Sequence, residues 1–89
     1  MTVYMVDRDL PGISMEELAA AQQRAIEWSE RYRAEGRNVQ YIRSTFVPGE
    51  SHCMCLFEAP DAGSVTELNK DAEIPFTRVT EALDLTPSS

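Results

Sequence analysis

Hydrophobic and polar positions divide the chain into segments of two different periods. Four short segments are rich in β-branched and aromatic residues, a composition that favours strands. They span residues 2–9, 39–47, 52–59 and 76–83. Two further segments carry apolar residues at helical spacing, so the pattern predicts four strands and two helices.

The first helix has the clearest boundary signals in the chain. Ser14 and Glu17 form the S-x-x-E capping box of a helix start. Ile13 and Leu18 occupy the two positions of a hydrophobic staple around it. Gly36 ends the helix, because glycine takes the left-handed conformation that closes many helices. The predicted inner stripe consists of Leu18, Ala21, Ala25, Trp28 and Tyr32.

The second helix is shorter and begins at Asp61, a residue type that accepts hydrogen bonds at helix N-termini. Val65, Leu68 and Ala72 form its inner face, and Pro75 ends the segment. The element order β-α-β-β-α-β predicts a ferredoxin-like α+β fold, with an antiparallel four-stranded sheet of order 4-1-3-2 and both helices on one face. We assign residues 1–85 to this single domain and residues 86–89 to a frayed C-terminal tail.

The hairpin formed by the second and third strands predicts which residues share a face of the sheet. A short turn at Pro48 and Gly49 fixes the register of the two strands, and the register decides which residues of each strand share a face. The set expected to face the helices is Ile42, Ser44, Phe46, Cys53, Cys55 and Phe57. The set expected on the open face is Tyr41, Arg43, Thr45, Val47, His52, Met54, Leu56 and Glu58.

The open face bears on the oligomeric state. Its residues mix apolar and polar groups, which suits contact with a second sheet better than contact with water. A chain of 89 residues also has a thin core. We therefore expect a homodimer of the dimeric α+β-barrel type, joined through the open sheet face.

Composition and charge exclude several classes of function. Eight Lys and Arg stand against fifteen Asp and Glu, for a net charge of −7. Nucleic acids and anionic membranes bind basic surfaces, so we expect neither as a partner, whereas an acidic surface attracts cations. No apolar run approaches the roughly 20 residues of a membrane helix, and the N-terminal segment lacks the pattern of a signal peptide. We expect a cytoplasmic protein.

The single histidine and three acidic residues are expected to meet at one edge of the sheet. In the predicted strand order, the end of the first strand lies beside the start of the third, which brings Asp7 and Asp9 near Glu50 and His52. Carboxylates and imidazole are ligands for borderline divalent ions such as Ni²⁺ or Zn²⁺, so these four residues are candidate metal ligands. The alternative is that Asp9 and Glu50 are loop charges and that Asp7 pairs with an arginine. The arginines in question are Arg8, Arg43 and Arg78.

Cys53 and Cys55 are the only cysteines in the chain. Two cysteines are too few for the disulfide framework of a small secreted domain. Residues i and i+2 of a strand lie about 6.6–7 Å apart, which is too wide for an easy disulfide or for joint chelation of one ion. We therefore interpret both as buried structural thiols.

The chain contains four stretches that bear on its family: YMVDRDLPG at 4–12, VPGE at 47–50, CMCLFEAP at 53–60 and IPFTRV at 74–79. These stretches resemble a family of small bacterial nickel-binding, ferredoxin-like proteins. The resemblance implies a homodimer of ferredoxin-like subunits that binds nickel and sequesters it. The candidate ligands carried over to this chain are those already named: His52, Asp7, Asp9 and Glu50.

The sequence therefore predicts a non-enzymatic, dimeric nickel-binding protein in metal sequestration or homeostasis. Neither a nucleophile elbow nor a phosphate-binding glycine pattern is present, and we assign no catalytic residue. The alternative is a small dimeric α+β-barrel enzyme or ligand-binding module for a hydrophobic or anionic metabolite, anchored by Arg8, Arg43 or Arg78. Its pocket between sheet and helices would be lined by Tyr4, Met5, Arg8, Trp28 and Tyr32.

Overall fold

Both helices pack on one face of a four-stranded antiparallel sheet. The structure, a computed structural model, describes residues 1–87. Its elements in chain order are β1 (Thr2–Asp9), α1 (Met15–Ala34), β2 (Gln40–Val47), β3 (His52–Ala59), α2 (Ala62–Asp71) and β4 (Arg78–Ala82). The strand order is β2-β3-β1-β4, and each pairing is antiparallel. The predicted ferredoxin-like fold and its strand order are confirmed.

The predicted caps define the helix boundaries. The Ser14 hydroxyl accepts the Glu17 N–H at 3.1 Å, and the Glu17 carboxylate accepts the Ser14 N–H at 2.9 Å, so the capping box is complete. Gly36 has a φ of +85°, the left-handed conformation expected after the end of α1. The Asp61 carboxylate accepts the Ser64 N–H at 2.7 Å and caps α2. These local hydrogen bonds satisfy backbone groups that a helix end would otherwise leave unpaired.

The helix-facing side of the sheet forms the core. Alternate residues of β3 are fully buried there, while its other residues are half-buried on the open face. Val65, Leu68 and Ala72 of the second helical segment are buried against this side, as predicted. The inner stripe of α1 differs in part: Ala21, Ala25, Ser29 and Tyr32 are buried, whereas Leu18 and Trp28 pack on the core while partly exposed.

Tyr41 lies on the helix side of the sheet, so its predicted place on the open face was wrong. The pairing of β2 with β3 shifts by one residue between Tyr41 and Arg43, and Ile42 is the extra residue of this β-bulge. A bulge reverses the side of the sheet on which the preceding residues point. Tyr41 therefore stands opposite Phe57, with ring centroids 5.5 Å apart.

The segment that follows β4 crosses the open face. Arg43 on β2 forms an ion pair with Asp84. Since β2 and β4 are the opposite edges of the sheet, this contact draws residues 83–84 across the face. Leu83 and Leu85, on either side of Asp84, expose 83% and 85% of their surface. Of the predicted tail at 86–89, residues 88–89 lie outside the described residues.

Candidate functional site

His52 lies between the two aspartates of β1, as the strand order predicted. Asp9 and His52 are directly opposite in the pairing of β1 with β3. The imidazole Nδ1 is 3.1 Å from an oxygen of Asp9, and its Nε2 is 3.0 Å from an oxygen of Asp7. Three of the four candidate ligands therefore meet at the end of β1 on the open face.

Asp7 is the anchored member of this group. Its side chain is 8% exposed, against 68% for Asp9. Its second carboxylate oxygen accepts a hydrogen bond from Arg78 Nε at 3.0 Å. Its backbone carbonyl accepts the N–H of Thr77 at 2.7 Å and the Thr77 hydroxyl at 3.1 Å. Asp7 thus has both of its expected kinds of partner, the histidine and an arginine.

The charge state of His52 follows from its two neighbours. Each ring nitrogen faces a carboxylate oxygen, and both nitrogens are donors only in the protonated imidazolium. The hydrogen bond with Asp9, followed by that with Asp7, raises the pKa of His52 above its ordinary value of 6.5. Because a metal ion binds a deprotonated ring nitrogen, protons compete with metal at this histidine.

Glu50 does not join the other three candidates. It lies in the turn between β2 and β3, where its N–H donates to the Val47 carbonyl at 3.1 Å, and its side chain is exposed. Within residues 1–87, no group of three or more His, Cys, Asp or Glu side chains is arranged to hold a metal ion. Asp7, Asp9 and His52 do not form such a group because of their geometry. The two aspartates contact different nitrogens of one ring, so a single ion reaches only one ring nitrogen and the carboxylate beside it.

A second polar cluster lies inside the protein, on the other side of the same strands. The Arg8 side chain is buried, and its Nε donates to Cys55 Sγ at 3.3 Å. Its terminal nitrogens donate to the Pro75 carbonyl at 3.2 Å and to Asn69 Oδ1 at 2.6 Å. From the sequence, Arg8 was a candidate partner of Asp7, an anion anchor and a residue of the pocket lining. Alternate residues of a strand share a face, so the apolar residues Tyr4 and Val6 indicated that Arg8 also faces the core.

The two sulfur atoms are closer than strand spacing implied. Cys53 and Cys55 are both buried free thiols, as expected, but their Sγ atoms are 3.8 Å apart. The expectation of well-separated sulfurs was wrong, because it used the spacing of backbone positions and took no account of side chains that lean toward each other. Ser44 on β2 adds a further contact, since its hydroxyl donates to Cys55 Sγ at 2.9 Å.

A cavity of about 150 Å³ lies between α1 and the sheet, next to these sulfurs. Of the residues expected to line such a pocket, Arg8 does so, whereas Tyr4, Met5, Trp28 and Tyr32 do not. The observed lining includes Arg8, Cys53, Cys55, Ser44, Tyr41 and Phe46.

The arginines proposed to anchor an anionic metabolite all have partners within the protein. Arg43 is paired with Asp84, and Arg78 with Asp7. Arg8 is the only one of the three at the cavity, and all of its nitrogens donate to protein atoms. An anion bound in this cavity would therefore meet no free guanidinium among these three arginines.

A family model described as nickel responsive protein SCO4226-like matches residues 4–82. The chain belongs to this family. The family resemblance of the four sequence stretches is thereby confirmed. The crystal structure of SCO4226 from Streptomyces coelicolor A3(2) is similar to the structure described here, with a TM-score of 0.77 and 21% sequence identity. The match covers 94% of this chain and 99% of that chain, and it supports the SCO4226-like fold. No curated protein matches the chain.

Neither of the helices within residues 1–87 combines the length and the apolar character needed to cross a bilayer.

Proposed function

We propose that this protein binds nickel as an exchangeable cargo at the His52 edge of the sheet, in metal sequestration or homeostasis. The nickel-responsive description of its family supports the choice of metal. The observation that carries the proposal is the position of the His52 imidazole between Asp7 and Asp9. An imidazole and carboxylates together form a donor set suited to Ni²⁺.

The two aspartates have different roles in this proposal. Asp9 is exposed and adjoins Nδ1, so an ion that replaces the Nδ1 proton gains Asp9 as a second ligand. Asp7 is buried and keeps its contact with Nε2, which orients the ring as outer carboxylates do for metal-bound histidines. Asp7 is therefore a positioning residue, and His52 and Asp9 are the ligands. Glu50, on the neighbouring turn, is the remaining candidate ligand.

Weak and pH-dependent binding follows from this donor set. With few protein ligands, water completes the coordination of the ion, and the site discriminates poorly against Zn²⁺ and Cu²⁺. The raised pKa of His52 means that a proton must leave before nickel binds. Such a site suits buffering of free nickel in the cytoplasm, the compartment that we propose for the protein.

We further propose that the active form is a homodimer through the open sheet face. Leu83 and Leu85 support this assembly, since both are largely exposed on the segment that crosses the face. Large apolar side chains exposed close together are typical of surfaces that bind a partner. The C-terminal segment would then be part of the interface.

Calorimetric titration of chelator-treated protein with Ni²⁺, and then with Zn²⁺, tests the nickel site. His52→Ala and Asp9→Asn are expected to weaken nickel binding at least about tenfold, because each removes one of two protein ligands. Glu30→Gln is the matched control, since it removes one negative charge from an exposed position on α1. Equal nickel affinity of His52→Ala and the unaltered protein would contradict the proposal.

A further inference from the structure

We propose that Cys55 is a thiolate nucleophile paired with Arg8, and that the cavity beside it admits small, uncharged, soft electrophiles. This site is independent of the nickel site, because Cys55 lies on the opposite side of the sheet from His52.

The buried Arg8 side chain contacts no carboxylate among its hydrogen-bond partners. Its side chain is only 2% exposed, yet two of its partners, the Pro75 carbonyl and the Asn69 amide, are neutral. In the described part of the chain, the arginines that pair with carboxylates are Arg37, Arg43 and Arg78. The sulfur of Cys55 is thus the one contact of Arg8 that can carry negative charge. A buried guanidinium without a counter-charge is costly, so the Arg8 environment favours a Cys55 thiolate.

Two hydrogen-bond donors and a second sulfur atom converge on Cys55 Sγ. Cys55 Sγ accepts from Arg8 Nε at 3.3 Å and from the Ser44 hydroxyl at 2.9 Å, and it lies 3.8 Å from Cys53 Sγ. Hydrogen bonds to the charged form of a group favour that form. The contact with Cys53, followed by Arg8 and Ser44, lowers the pKa of Cys55 against the opposing effect of burial.

The hydrogen-bond chain that leads to Ser44 has a single consistent direction. Gln22 Nε2 donates to the Tyr41 hydroxyl at 2.9 Å. The Tyr41 and Ser44 hydroxyl oxygens are 2.6 Å apart. Because each hydroxyl has one hydrogen and that of Ser44 points to Cys55, Tyr41 donates to Ser44. Every donor in the chain is thus directed toward the sulfur, as a negative acceptor at its end requires.

A cavity lies beside this sulfur atom. The cavity of about 150 Å³ has the volume at which an engineered apolar cavity binds benzene. Its apolar lining consists of Leu10, Leu18, Ala21, Ala25, Phe46 and Ile74. Such a lining admits small uncharged molecules and excludes bulky or strongly hydrated ones. Soft electrophiles of this size are the ligands that a thiolate in this wall would take.

Iodoacetamide is a suitable probe of this chemistry. The Cys55 sulfur forms a bond to the methylene carbon, the carbon–iodine bond breaks, and iodide leaves, so the thiolate has no proton to lose. Peptide mapping by mass spectrometry distinguishes the two cysteines. In native protein we expect Cys55 to be alkylated well ahead of Cys53, with a rate whose pH midpoint lies below about 7, in the range of activated thiolates. In guanidinium-unfolded protein both should react alike, with a midpoint near the ordinary value of about 8.5.

Two further measurements separate charge state from access. The thiolate absorbance at 240 nm, followed against pH in the unaltered protein and in Cys55→Ala, reports the ionisation of Cys55 by difference, without any reagent and with Cys53 in place. Ser44→Ala should move that midpoint upward, while Thr45→Ala, on the other face of β2, should not. A fluorescein-bearing iodoacetamide is expected to react at least about tenfold more slowly than iodoacetamide itself. A native absorbance midpoint near 8.5 would overturn the thiolate, and native protein that resists iodoacetamide would overturn the accessible site.

Discussion

Asp7 and Arg8 are neighbours in the chain, and they direct opposite charges to opposite faces of the sheet. Asp7 meets His52 and Arg78 on the open face, whereas Arg8 meets Cys55 in the core. The two side chains therefore do not neutralise each other. This separation, which follows from the alternation of side chains along a strand, produces two chemically distinct sites on β1 and β3.

Nickel affinity should depend on pH through His52. Since the pKa of His52 is raised, binding should weaken as the pH falls through that value, with about one proton released per ion bound. Titrations in buffers of different ionisation enthalpy measure the released protons. In His52→Ala the residual binding should lose this proton linkage, and an unchanged linkage would place the titrating group elsewhere.

The free energy of unfolding should depend on pH through the same histidine. A group whose pKa is raised on folding stabilises the folded state below its unfolded value of 6.5, and that contribution disappears as the pH rises through the folded pKa. Urea unfolding at about pH 5.5 and pH 9 measures it. His52→Gln should lower stability more at the acidic pH, and an equal effect at both would contradict the proposed imidazolium. The chain has no second histidine to confuse the comparison.

Asp7→Asn should destabilise the protein more than Asp9→Asn. The Asp7 side chain is 8% exposed and accepts from both His52 and Arg78, whereas that of Asp9 is 68% exposed. Loss of a buried charged hydrogen-bond acceptor costs about 1–3 kcal/mol of unfolding free energy. Chemical denaturation compares the two variants, and equal midpoints would argue against an anchoring role for Asp7.

The assembly proposal depends on two exposed leucines. Replacement of both Leu83 and Leu85 by Glu should convert a dimer into a monomer, because it places charge on the apolar segment that crosses the open face. Sedimentation velocity measures the change. Met15→Glu is the control, since Met15 is 73% exposed on α1 and lies on the helix side of the molecule. A monomeric unaltered protein would contradict the proposal directly.

The N-terminal cap of α1 should be a modest and local source of stability. Ser14→Ala removes the hydroxyl that accepts the Glu17 N–H and should lower the free energy of unfolding by about 1 kcal/mol. Ser14→Gly should cost only a few tenths of that amount. Thermal and urea unfolding of both variants check the expectation. Loss of the nickel site in either variant would be unexpected, because the cap does not contact it.

The elements, their order and the meeting of His52 with Asp7 and Asp9 were predictable from the sequence. These features depend on caps, on alternation along strands and on the limited topologies of small sheets. The bulge at Ile42 was not predictable from the sequence. The order of apolar and polar residues in a strand does not show that one of them is left unpaired. Tyr41 consequently changed faces and joined the hydrogen-bond chain to Ser44.

By itself, the sequence determined the fold of this protein and the edge of the sheet where its acidic residues and histidine gather, because helix caps, strand alternation and the few topologies open to a small sheet decide both. Only the tertiary structure decided which ring nitrogen faces which carboxylate, that Arg8 meets Cys55, and that the two sulfurs lie 3.8 Å apart. Arg8 and Cys55 are separated by 47 positions in the chain. Contacts over such a separation depend on side-chain rotamers and on the packing of several elements at once, which no local pattern of residues specifies.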